Sequence, residues 1–320
     1  MTLQDPLFGG FEEVRGPPPA LTAPFPYAGG KSQVAATIWR ALGQPRTYIE
    51  PFAGSLGVLL GRPDPPGMEI VNDAEGLVAN FWRAVKSDPD AVAEAVDWPA
   101  IAVDLHARGA VLMAARAELV ERLEGDPDYY DPKLAGWWAW GTAYSITKRF
   151  PNRGPWIVDG GRLVKGAPGA GISREKPLFD GPSRAPGTRY ASANLQPWMR
   201  ALADRLSATI VHCGDWSQVV TPVMRSLTPV AVFLDPPYGA MDRNMSTYLL
   251  DSTTVAADVR QWAIDHGEDE GLRIVVAGYE SEEPAMPDTW QVLAWSAVSN
   301  TANRHRERLW LSPGCARPGS

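Results

Sequence analysis

Two apolar runs in the first third of the chain restrict the fold most. RTYIEPFAGSLGVLLG reads as a strand over Arg46–Phe52, a small-residue turn at Ala53–Ser55 and the opening of a helix. MEIVNDAEGLVANFWRAVKS reads as a second strand ending at Asn72 and Asp73, then a helix with Leu77, Val78, Phe81, Trp82 and Val85 on one face. Strand, helix, strand, helix at this spacing predicts a parallel α/β sheet.

The same alternation returns late in the chain. NLQPWMRALADRL predicts a helix, SATIVHCGDW a strand, VAVFLDPPYGA a strand, VAADVRQWAIDHG a helix and LRIVVAGYE a strand. TWQVLAW and RERLWLS alternate apolar and polar residues, as expected of a closing antiparallel pair. Between the two halves lies a long insertion. It is helical and acidic over 88–131, continues as an aromatic helix from Lys133, and becomes rich in glycine and proline over 151–190, which predicts a loop region. Three tryptophans in WWAW (Trp137, Trp138, Trp140) are expected to pack a local core.

With 320 residues and 45% hydrophobic content, the chain can bury a large core in one or two domains. Residues 1–24, which include RGPPPALTAP, are expected to be a flexible leader. The start MTLQDPLFGG lacks the pattern of an export signal, and no window reaches the roughly 18 apolar residues that a membrane span needs. Cys213 and Cys315 belong to no Cys/His cluster, so neither a metal site nor a disulfide framework is expected, and a reduced cytoplasmic setting fits.

A net charge of -7 argues against a polyanionic partner until its distribution is considered. Residues 133–205 carry twelve basic and four acidic side chains, an excess of eight positive charges, so the acidity lies elsewhere. Such segregation points to a segment that binds polyanions.

YAGGKS (27–32) is not a phosphate loop, because the glycine required five residues before Gly30 is replaced by Phe25. What remains is a glycine pair followed by Lys31 at a predicted helix start, suited to a carboxylate or another anion. EPFAGSLG (50–57) puts small residues where a strand turns into a helix, the point at which open α/β sheets bind nucleotide-like cofactors. Asp73 and Asp215 each follow a strand, as acceptors for ribose hydroxyls or an adenine amino group, or as helix caps. In DPPY (235–238) the prolines end the strand and leave carbonyls without ladder partners. Beside the Asp235 carboxylate this makes an acceptor cluster for an amino group, with Tyr238 as a stacking face.

In this order YAGGK, YIEPFAGS, VND, CGDW and FLDPPYG resemble the Dam-like, S-adenosylmethionine-dependent adenine-specific DNA methyltransferases. The resemblance implies a Rossmann-like methyltransferase sheet, mostly parallel with an antiparallel C-terminal strand, plus an inserted helical and loop region for target recognition. By it, residues 25–88 and 207–312 form the catalytic domain, 89–206 the insertion and 313–320 a tail. It assigns Tyr27, Lys31, Ala53, Gly54, Asp73 and Asp215 to S-adenosylmethionine, with Lys31 near the carboxylate, Asp73 on the ribose and Asp215 on the adenine. Asp235 and the Pro236 carbonyl would hold the amino group of a flipped-out adenine, and Tyr238 would stack on the base.

The expected partner is double-stranded DNA, met by Arg149, Arg153, Arg162 and Lys165 of the insertion, with the protein a soluble cytoplasmic monomer. Methylation of cytosine or RNA, or a catalytically weak DNA-binding relative, are the alternatives. One residue departs from the family pattern: Leu56 stands where the second glycine of F-x-G-x-G belongs.

Overall fold

The computed structural model describes residues 21–27, 29–64, 67–99, 101–145, 150–151, 156–159, 162–165, 192–237, 254–279, 284–295 and 307–316. In chain order the elements are α1 (Ala35–Leu42), β1 (Thr47–Glu50), β2 (Met68–Asn72), α2 (Gly76–Ser87), α3 (Pro89–Val96), α4 (Ala102–Gly125) and α5 (Pro132–Tyr144). They continue with β3 (Trp156–Asp159), β4 (Arg162–Lys165), α6 (Ser192–Leu206), β5 (Thr209–His212), α7 (Pro222–Arg225), β6 (Val230–Leu234), α8 (Val255–His266), β7 (Leu272–Tyr279), β8 (Gln291–Ala294) and β9 (Glu307–Leu311).

Seven strands form one sheet in the order β5-β2-β1-β6-β7-β9-β8. The strands from β5 to β7 run parallel, whereas β9 pairs antiparallel with both β7 and β8. This mixed sheet fits the Rossmann-like arrangement expected from the sequence, with antiparallel C-terminal strands. Apolar residues at successive strand positions point to opposite faces, and both faces are covered. Tyr48, Val71, Phe233, Val275 and Leu309 join the core beneath α1 and α2, and Ile49, Ile70, Val232, Ile274 and Trp310 join the core beneath α8.

Four expectations are corrected. No long helix follows Ser55; the chain makes turns and a single 3-10 turn over Leu59–Gly61. Lys31 does not open a helix, because α1 begins four residues later. The end of the supposed leader is packed: Ala23 is buried and Trp198 donates to the Thr22 carbonyl. Within the expected loop region, β3 and β4 form an antiparallel ladder with Trp156 opposite Lys165 and Asp159 opposite Arg162.

The insertion rests on α2. Arg83 of α2 donates to the carbonyls of Leu123 and Asp126 at the end of α4 and to that of Val211 in β5, binding the inserted helices to the sheet. Trp138 and Trp140 are buried as expected, and Trp137 is half-buried. The Arg108 guanidinium lies 4.9, 5.0 and 4.5 Å from the ring centres of Trp98, Trp137 and Trp140. Here the tryptophans hold an arginine within the helical layer.

Candidate active site

A cavity of about 280 Å³ opens at the C-terminal ends of β1, β2, β5 and β6. In a parallel sheet the strand order reverses here, and no crossover covers the space. Of the residues singled out in the sequence, Tyr27, Lys31, Ala53, Gly54, Asp73, Asp215 and Asp235 all line it.

The turn after β1 is built by backbone bonds. Ala53 N–H donates to Asn72 C=O at 2.8 Å, and Leu56 N–H donates to Ala53 C=O at 2.7 Å. The indole of Trp82 donates to Gly54 C=O at 2.8 Å. Asn72 extends the support by donating to the carbonyls of Pro51 and Gly214, which joins three strand ends. Gly54 has φ 45° and lies under the Tyr27 ring, so a β-carbon there would meet Tyr27 Cε1 at 2.7 Å. Leu56 has φ 51°, a conformation that disfavours any residue with a β-carbon. The glycine of the family pattern is absent, yet Leu56 takes up a left-handed conformation that glycine adopts freely. Complete burial of the Leu56 side chain offsets the strain.

Asp73 accepts Gly54 N–H on one oxygen and Glu75 N–H on the other, both at 2.9 Å. Burial nonetheless pushes its carboxyl up to about 7, against these two bonds. Glu75 also lines the cavity and is held by both nitrogens of an Arg116 fork from α4, at 3.1 and 2.8 Å. Asp215 is exposed and caps the 3-10 turn Trp216–Val219 through Ser217 N–H at 2.9 Å. The rings of Phe52 and Trp216 stack nearby, 6.4 Å apart and 26° from parallel.

At the β6 end, Lys31 pairs with Asp235 Oδ2 at 2.9 Å and donates to the Gly29 carbonyl at 2.7 Å. It is 3% exposed, and the Trp295 ring centre lies 5.3 Å away. The structure thus places Lys31 on the carboxylate of the DPPY motif. Gly57 permits this approach, because a β-carbon there would meet Ser32 N at 2.9 Å. Pro236 is buried beside Asp235, and Pro237 lines the cavity. Tyr238, Arg149 and Arg153 lie outside the described residues. Arg162 and Lys165 have a described backbone in β4, but their side chains fall outside it.

Sequence reasoning missed two acids. Glu50 ends β1, lines the cavity and is 2% exposed; it accepts from the Tyr48 hydroxyl at 2.9 Å. Burial first, opposed by the Tyr48 bond, and then the nearby Asp235 charge leave its carboxyl up at about 8. Its position directly before Pro51 was the available signal. Glu307, which opens β9, is 6% exposed, and burial raises its carboxyl.

Residues 27–100 match the family model of D12 class N6 adenine-specific DNA methyltransferase. The match takes in Tyr27, Lys31, the turn after β1 and Asp73; Asp215 and Asp235 lie beyond it. No curated protein matches the chain. Over residues 27–100 the chain is similar to the D12 class N6 adenine-specific DNA methyltransferases, and the sheet and the strand-end site fit that match.

Proposed function

We propose that the protein transfers a methyl group from S-adenosylmethionine to the exocyclic amino nitrogen of an adenine flipped out of double-stranded DNA. The observation that carries this reading is the composition of the cavity wall. Five carboxyl groups, Glu50, Asp73, Glu75, Asp215 and Asp235, face one ammonium, Lys31, with the stacked Phe52 and Trp216 beside them. Such a wall offers many oxygen acceptors to a ligand rich in hydroxyl and amino donors, and the aromatic pair suits a purine. S-adenosylmethionine combines both in one molecule with a ribose diol.

Asp73 and its neighbour Glu75 hold the ribose end, Asp215 accepts from the cofactor's adenine, and Ala53 and Gly54 back the methionine part under Tyr27. When bound, the cofactor supplies an electrophilic methyl group on a sulfonium. Asp235 and the Pro236 carbonyl accept the two N–H bonds of the target amino group, which turns its lone pair toward the cavity. Positioning and fixed acceptors carry the rate. Tyr238 stacks on the extruded base. Residues 89–206 form the recognition region, in which Arg149, Arg153, Arg162 and Lys165 meet phosphates or base edges.

The test is in vitro transfer of labelled methyl groups from S-adenosylmethionine to unmethylated duplex DNA, followed by hydrolysis to nucleosides. Label in N6-methyl-2′-deoxyadenosine is expected. Label in a cytosine derivative, or none at all, contradicts the reading.

A further inference from the structure

Lys31 holds Asp235 Oδ2 at 2.9 Å, and an ammonium on that oxygen neutralises the carboxylate and weakens it as an acceptor for a target amino group. If the reading above is right, the lysine needs a second place to put its charge. Glu307 offers one. It alternates with Leu309 and Leu311 on β9, on the sheet face that carries Ala277 and Phe233, and Asp235 lies two residues beyond Phe233 on that same face. The Glu307 carbonyl accepts the backbone N–H of Trp295 at 3.4 Å, and the Trp295 ring lies against Lys31. One backbone bond therefore links the residue that flanks the ammonium to the strand that carries the carboxyl. Glu307 Oε2 is buried without a hydrogen-bond partner among the described residues. A buried acceptor left unpaired, on the sheet face that carries Asp235, is a place where the lysine's charge would be satisfied.

We propose that Glu307 is a positioning residue for methyl transfer: it takes over the Lys31 ammonium when the target amino group engages Asp235. The electrostatics agree with this. After burial, the charges acting most on Glu307 are Lys31, which lowers its carboxyl, and Asp235, which raises it. A carboxylate whose charge couples to both members of the pair favours the lysine in either position. The proposal rests on the methyltransferase reading, and it gives Lys31 a part in freeing the catalytic acid.

Two measurements test it. In the cofactor-free protein, carbon-13 NMR of labelled glutamate carboxyls, assigned by the signal missing in Glu307→Gln, should show a titration above the ordinary carboxylate range. Lys31→Met should raise that midpoint further; a midpoint that ignores Lys31→Met overturns the proposal. In single-turnover methylation, Glu307→Gln should lower the rate by about tenfold or more while the affinities for cofactor and DNA stay near wild type. The wild-type rate should fall at low pH as Glu307 is protonated, and this acid limb should be absent from Glu307→Gln. Glu307→Asp keeps the charge and should recover both the limb and most of the rate, a pattern that a loss of folding would not give. Equal rates in Glu307→Gln and wild type, or no rescue by Glu307→Asp, overturn the proposal. A wild-type protein with no methylation at all would instead count against the function itself.

Discussion

At the β2 end of the cavity, Asp73 is fixed by two backbone N–H groups and Gly54 is pinned between Tyr27 and Trp82. At the β6 end, Asp235 is held by the side chain of Lys31, a flexible four-carbon stem that reaches it from the other end of the sequence. Backbone contacts cannot exchange without refolding the turn, whereas an ion pair can change partners by rotating a few bonds. The first arrangement suits a ligand bound the same way at every turnover. The second suits a group that must be released at the moment of reaction.

Substitutions should separate the two ends. The largest effect is expected from Asp235→Asn, which removes the charge but keeps the shape. Methylation should fall by about 100- to 1000-fold, with cofactor affinity by calorimetry little changed. A comparable loss of cofactor affinity would mean that the two ends are not separate.

Glu50 lies between them and should show itself in stability. Its folded-state carboxyl is raised to about 8, so its contribution is fully present below the ordinary glutamate range and is lost as pH rises toward 8. Asp73, raised to about 7, acts in the same direction over a narrower window. Urea midpoints of the cofactor-free wild type should therefore decline from pH 5 to pH 8. Glu50→Gln, which can still accept from Tyr48, should decline less steeply.

At the backbone-fixed end, Gly54→Ala puts a methyl group into the Tyr27 ring at a positive φ. Cofactor affinity should drop about tenfold, roughly 1.4 kcal/mol, with the single-turnover rate at saturation nearly kept. The smallest and sharpest comparison concerns Leu56. Leu56→Ala should cost about 2–5 kcal/mol through the cavity it leaves. Leu56→Gly should cost about 1 kcal/mol less than Leu56→Ala, because it relieves the left-handed backbone. The usual ranking of alanine over glycine is thereby inverted, and urea denaturation of both variants reads it directly.

The parts of the site legible in the sequence are those attached to strand ends. A buried parallel strand is a largely apolar run, so the first acid after VAVFL or after MEIVN marks the sheet's C-terminal edge, and Asp235 and Asp73 declare themselves. Glu307 does not, because whether it faces Lys31 or the opposite layer depends on the pairing of β9 with β7, which RERLWLS alone leaves open. The fork from Arg116 to Glu75 joins residues 41 positions apart across α4, a contact set by helix packing and by no local pattern. Leu56 shows the reverse problem. Its identity departs from the family pattern, but what the turn requires is a conformation, and a buried leucine supplies it.

The proposed chemistry is tested most directly in a host that lacks DNA methylation. The protein is expressed there and the genomic DNA is sequenced for modified bases, with Asp235→Ala as the control. The account predicts N6-methyladenine at a recurring short sequence, absent from the control. Unmodified adenine, or adenine methylation that survives Asp235→Ala, would contradict it.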